Sequence, residues 1–138
     1  MRRILGLCAL LALLALPGAA LAGAPSGQVR VTNCLHARYK PRTLIIACGD
    51  GGILLEQLRW SRWTRTRASG SGLEAVNDCS PDCARGHFHR TPATVTLSRP
   101  ISCRGQRHRL FDLLSIRFRG VRGPHATERD HLGCPIPA

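Results

Sequence analysis

The residues best equipped for chemistry fall in one short stretch, Cys79-x-x-x-Cys83-x-x-x-His87-x-His89. Two thiolates and two imidazoles are, by ligand type, a tetrahedral zinc set. The competing reading is an oxidised cysteine pair followed by two exposed histidines that flank Phe88. Export of the chain, argued below, favours the oxidised pair. Without the thiols, His87 and His89 still suit ribonuclease-like cleavage of phosphodiesters, one imidazole acting as base and the other as acid. Arg85 and Arg90 would then stabilise the charge developing on the phosphoryl group. The chain has 6 histidines, including His36, His108, His125 and His131, so a pair close in sequence is easily met by chance. No nucleophile elbow, H-E-x-x-H helix or P-loop accompanies them. Asp78 and Asp82 are read as caps for backbone N–H groups. No metal or cofactor is expected.

The second constellation is Arg59-Trp60-Ser61-Arg62-Trp63-Thr64-Arg65-Thr66-Arg67. As a strand it places Arg59, Trp63, Arg65 and Arg67 on one face and Trp60, Arg62 and Thr64 on the other. An exposed Arg/Trp face suits stacking on bases or sugars and pairing with phosphates. The alternative is a tryptophan buried in the core with solvated arginines around it. Trp60 is read as core, and Trp63 is left open between the two. The candidate binding set is therefore Arg59, Arg62, Trp63, Arg65 and Arg67.

Both constellations need a scaffold, and the chain's start indicates where that scaffold works. Arg2-Arg3 precedes an apolar run of about a dozen residues, short of the roughly 20 that span a bilayer. Pro17-Gly18 breaks the run, and Ala20-Leu21-Ala22 supplies the small residues of a signal-peptidase site. Residues 1–22 are read as a cleaved signal peptide, leaving 23–138 with no membrane span. Cys34, Cys48, Cys79, Cys83, Cys103 and Cys134 remain, an even number that reads as three disulfides in an exported domain. Cys103 with Cys134 is the preferred closing pair. Cys79 and Cys83 bond either to each other or to Cys34 and Cys48. Loss of Arg2 and Arg3 lowers the net charge from +12 to +10, and the field of such a domain attracts anionic polymers.

Residues 23–28 read as a flexible leader, and residues 29–138 as one small β-rich domain. A first strand near Val29-Arg30-Val31 ends at Cys34. Residues 43–48 form a strand buried on both faces, and Gly49-Asp50-Gly51-Gly52 a tight turn. Residues 53–66 favour strand over helix, with Leu54, Leu58 and Trp60 partly in period two. Residues 68–72 make a loop or bulge, and 77–86 a turn-rich segment pinned by Cys79 and Cys83. Residues 93–98 form a strand bounded by Pro92 and Pro100. Residues 107–119 form another, with Leu110, Leu114, Ile116 and Phe118 on one face and Arg117 and Arg119 on the other. From about residue 120 the tail is irregular. Short strands at turn-punctuated spacing argue for an all-β, disulfide-stapled sandwich or barrel-like domain.

Several strings carry a resemblance: Pro41-Arg42, Ile46-Ala47-Cys48-Gly49-Asp50-Gly51, Leu58-x-Trp60-x-x-Trp63 and Ala68-x-Gly70-x-Gly72. Asn77-Asp78-Cys79-x-Pro81-x-Cys83-Ala84-x-Gly86 and Pro92-x-x-Val95-x-Leu97-Ser98-x-Pro100 extend it. Together, over about residues 41–100, they resemble a group of small secreted proteins of actinobacteria such as mycobacteria and streptomycetes. The resemblance implies export and a shared domain and brings no catalytic or binding residue with it. The expected protein is thus a secreted or cell-envelope binding module rather than an enzyme. Its expected partners are anionic: a cell-envelope polymer, anionic lipid headgroups, nucleic acid or an acidic protein. Intact-mass measurement of culture medium is expected to find a chain beginning at Gly23. Full-length protein retained in the membrane would contradict this.

Overall fold

The computed structural model describes residues 27–135. The expected signal peptide, residues 1–22, lies outside the described residues, as do residues 23–26 of the leader. Gln28, the last residue of that leader, is half-buried, because Val29 beside it is already part of the core.

Eight strands follow: β1 (Arg30–Asn33), β2 (His36–Arg38), β3 (Leu44–Ile45), β4 (Ile53–Trp63), β5 (Ala68–Asn77), β6 (Phe88–Ile101), β7 (Leu110–Phe118) and β8 (Thr127–His131). They form one sheet in the order β2-β1-β7-β6-β5-β4-β3. β7 has β6 along one side, and β1 and β8 divide its other side. Pairing is antiparallel except between β1 and β7. The protein is all-β, and the sheet curls into a half-barrel. Among the described residues no helix is long and apolar enough to cross a membrane.

Curling needs local kinks, and β4 supplies two. Its register against β5 slips between Glu56 and Arg59 and again between Trp60 and Arg62. Each slip inserts one extra β4 residue, which is a β-bulge and sharpens the local twist. Gln57 takes up the first with a φ of 55°. Gly70 and Gly72 on β5 face the bulged backbone, where an added Cβ would lie 2.6 Å from the carbonyl oxygens of Arg59 and Glu56 respectively. Residues 68–72, expected as a loop or bulge, are therefore the interior of β5, and their glycines make room for bulges on the neighbour.

The bulges break strict alternation, so Leu55, Leu58, Trp60 and Trp63 all point into the concave side. The sequence reading had put Trp60 and Trp63 on opposite faces, and Leu54 rather than Leu55 in the inward set. The indole N–H groups donate to the carbonyls of Pro41 and Val29, each at 2.8 Å. Trp63 meets Trp60, Phe111 and Tyr39 edge to face, with ring centroids 4.7, 5.6 and 5.3 Å away. Leu114, Ile116 and Phe118 of β7 join the same core, while Leu110 is buried outside it.

Three other expectations are corrected. The strand expected over residues 43–48 shrinks to Leu44–Ile45, because Cys48 turns away to bond Cys34. β6 runs through both prolines expected to bound it. Pro92 lies beyond the last β7 pair, its carbonyl still accepting the Arg119 N–H, and Pro100 lies past the last β5 pair. Proline is tolerated where a strand has lost a partner on one side. The tail is not irregular throughout, since β8 pairs with β7 and its end is tied to Asp112. The Asp112 carbonyl accepts the Leu132 N–H, and its carboxylate meets His131 Nδ1 at 2.9 Å.

The disulfides are Cys34–Cys48, Cys79–Cys83 and Cys103–Cys134, with sequence separations of 14, 4 and 31. Longer closed loops restrict the unfolded chain more. Replacing Cys103 and Cys134 with alanine is expected to lower stability by about 3–4 kcal/mol, against about 2 kcal/mol for Cys79 and Cys83. Urea unfolding midpoints of the two double variants measure this; the reverse ranking would contradict it.

Candidate functional site

Cross-strand pairing builds the outer face row by row. Arg62 on β4 stands beside Ser69 on β5, Ser69 beside Thr96, Thr96 beside Ser115, and Ser115 beside Arg129 on β8. The next row runs Arg59, Ser71, Thr94, Arg117 and Thr127 over the same five strands. Residues directly opposite one another share a face, so guanidinium and hydroxyl groups make up a single surface. With strands roughly 4.8 Å apart, a row extends about 19 Å, and the two rows lie about 7 Å from each other.

The four arginines of these two rows are exposed. The ion pairs among the described residues use Arg85, Arg90, Arg99, His89 and His131 instead. A shallow groove of about 250 Å³ lies among Arg67, Arg117 and Arg129, lined by the Thr94, Thr96 and Ser115 side chains. A surface of unpaired guanidinium groups with hydroxyl donors between them can hold phosphate or carboxylate oxygens by charge-assisted hydrogen bonds.

Of the five residues proposed from sequence, Arg59, Arg62 and Arg67 belong to this face. Arg65 stands at the tip of the β4–β5 turn, beside Gly27, in a loop closed by hydrogen bonds between Thr64 and Arg67. Trp63 is half-buried against Phe111, so its ring packs inward. Arg117 and Arg129 were missed. Alternation over residues 107–119 had turned Arg117 outward, but nothing in the sequence brought it near Arg59. Arg129 was hidden in the tail read as irregular.

The cysteine and histidine stretch is a stapled turn. Cys79 and Cys83 are bonded to each other, which removes both thiolates from a zinc set. Among the described residues no group of three or more His, Cys, Asp or Glu is arranged to hold a metal. Asp78 and Asp82 act as caps, as expected from sequence. The Asp78 carboxylate accepts the N–H groups of Ser80 and His87, and that of Asp82 the N–H groups of Ala84 and Arg85. The His87 N–H, the His89 ring at 3.0 Å and the Ser80 N–H hold Asp78 well below the usual carboxylate range. Gly86 is required here, since an added Cβ would lie 2.0 Å from Asn77 Oδ1. Arg85 pairs with Asp82 and Arg90 with Glu56, so both arginines of the ribonuclease-like reading are already engaged.

The concave side carries contrary chemistry. Glu74 on β5 sits beside Leu55 and Thr91 and is only 6% exposed. Burial first, and the Glu128 charge second, push its carboxyl up to about 7. It lines a cavity of about 310 Å³ together with Ile46, Ile53, Ile116, Glu128 and Asp130. A larger cavity of about 480 Å³ adjoins it between Leu35, Ile45, Ile46, Leu132 and Asp130. Sequence reading missed this site because nothing in the local pattern marks Glu74 as inward.

From an ordinary value of 4.5 up to about 7, the folded state keeps a Glu74 proton that the unfolded chain has released. Stability therefore falls as pH rises through that window and stays lower above it. Glu74→Gln is expected to raise stability at pH 8 by on the order of 1–2 kcal/mol, allowing for screening at the open mouth, with little change near pH 4. Urea midpoints against pH test this, and parallel profiles for variant and parent would contradict it. Compared with known proteins, the chain matches no family model, no curated protein and no solved structure.

Proposed function

We propose that this chain is an exported binding module that holds an anionic cell-envelope polymer on its outer β-face. The observation that carries the reading is the pair of cross-strand rows, with Arg59, Arg62, Arg117 and Arg129 exposed and, among the described residues, in no ion pair. Serines and threonines fill the positions between the arginines, so a repeating phosphate or carboxylate chain meets a hydrogen-bond donor at each strand. The +10 charge left after loss of residues 1–22 draws such a polymer in, and release of its condensed counterions supplies the affinity. Three disulfides agree with an oxidising, extracytoplasmic setting. The resemblance to small secreted actinobacterial proteins points the same way.

The chemistry of the face favours an envelope polymer over single-stranded nucleic acid. Stacking of bases needs exposed aromatic rings, and both indoles donate their N–H groups to backbone carbonyls inside the half-barrel.

Retention on immobilised poly(glycerol phosphate) is expected to fall at least about tenfold between low and high salt, as counterion release requires. Replacing Arg62, Arg117 and Arg129 together with glutamine is expected to weaken it about tenfold further, through loss of about three phosphate contacts. The same triple change at Arg104, Arg107 and Arg109 is the control. Equal losses from both triples would reduce the effect to net charge, and salt-insensitive retention would overturn the reading.

A further inference from the structure

The cleft inside the half-barrel carries negative charge in a chain that is otherwise strongly basic. The sequence has 20 Lys and Arg against 8 Asp and Glu. Four of those acids have cationic or imidazole partners: Glu56 with Arg90, Asp78 with His89, Asp82 with Arg85, and Asp112 with His131 and Arg99. Glu74, Glu128 and Asp130 have none of these and converge on one cavity. Glu74 is the informative member. Only 6% of it is exposed, and no hydrogen bond or ion pair to its carboxylate is found among the described residues. Withdrawing a carboxyl group from water without a partner disfavours its charged form. Arg129 touches the same rim, but it lies in the outer row beside Ser115. The fold thus leaves Glu74 facing an open space with no hydrogen bond or ion pair among the described residues, although Arg129 stands at the rim.

The shape of that space restricts the cation. The cavity holding Glu74 shares Ile46 and Asp130 with its larger neighbour, so the two lie side by side. The larger one is walled by Leu35, Ile45, Ile46 and Leu132 together with the Cys34–Cys48 disulfide, and its volume of about 480 Å³ is that of a small-molecule site. A bare metal ion would leave this wall unused, and a wholly apolar guest would leave Glu74 unpaired.

We propose that this cleft binds a small amphiphilic cation. Its ammonium or guanidinium group lies between Glu74 and Glu128, and its aliphatic body lies against Ile45, Ile46 and Leu132. The cation supplies the missing partner for the buried carboxylate, while the body removes the aliphatic wall from water. The same chemistry is presented by a long-chain alkylamine and by a lysine side chain within a peptide. The proposal does not depend on the outer face, which lies on the other side of the sheet.

The test is a set of calorimetric titrations of the processed protein at about pH 8, where the ligand amine is cationic. The probes are n-octylamine, n-octanol, octanoate and N-acetyl-lysine amide. An amine is expected to bind at least about tenfold more tightly than octanol, with octanoate weaker still. Octylamine ahead of N-acetyl-lysine amide identifies an alkylamine source, and the opposite order a peptide source; either supports the site. Glu74→Gln is expected to remove the advantage of amine over octanol, with Glu128→Gln removing part of it. Circular dichroism verifies the fold of each variant. Ile46→Trp, which fills the shared wall, is expected to abolish binding of amine and octanol alike. Octanoate binding as well as the amine, or an amine affinity unchanged in Glu74→Gln, would overturn the proposal. Retention on poly(glycerol phosphate) is expected to be unchanged in Glu74→Gln, so failure of either reading leaves the other testable.

Discussion

Much of this structure depends on how closely the backbone of β4 approaches β5 at Gly70 and Gly72. The space a Cβ would fill at those glycines is taken by the carbonyls of Arg59 and Glu56. That approach admits two bulges on β4, and each shifts the strand's inward positions by one residue. Leu55, Leu58, Trp60 and Trp63 can then all face the core at spacings of three, two and three, which no regular strand allows. The same shifts turn Arg59 and Arg62 outward together, beside Ser71 and Ser69. Core aromatics and surface arginines are thus sorted from one short sequence by a single backbone device.

Curvature then separates opposite charges. The outer face gathers guanidinium groups at the ends of hydroxyl rows, and the concave cleft gathers Glu74, Glu128 and Asp130. β8 contributes to both, since alternation sends Glu128 and Asp130 to one side and Arg129 to the other. An exposed arginine beside a carboxylate would be partly neutralised and would offer little to a polyanion. The sheet stands between the acidic cleft and Arg59, Arg62 and Arg117, while Arg129 reaches the rim of the cleft.

β7 holds the far side of this arrangement. Among the described residues it is the only strand with three neighbours, and the buried Asp112 on it fixes the chain that leaves β8. Thr32 of β1 adds a hydrogen bond to the Gly133 carbonyl at 2.8 Å, and Cys103–Cys134 closes the segment covalently. A tail poor in apolar residues stays in the fold through polar and covalent ties, because hydrophobic burial alone offers it little.

Strand identity over residues 93–98 and 107–119, the turns around Cys79 and Cys83, and the capping by Asp78 and Asp82 were legible because their causes are local. Alternating apolar residues, turn formers and short carboxylates act on neighbours within a few positions. The pairing Cys103–Cys134 was also legible, since a Pro/Gly-rich tail has little else to anchor it. The facing of Trp60 and Trp63 was not, because a bulge is a property of two strands and the glycines that permit it belong to the partner. The helix-like spacing of Leu55 and Leu58 has the same origin. Composition and local pattern determined a basic, disulfide-stapled β-domain. Which arginines stand together, and which glutamate is left facing a cavity, depended on register among five strands, and register is set by contacts far apart in the chain.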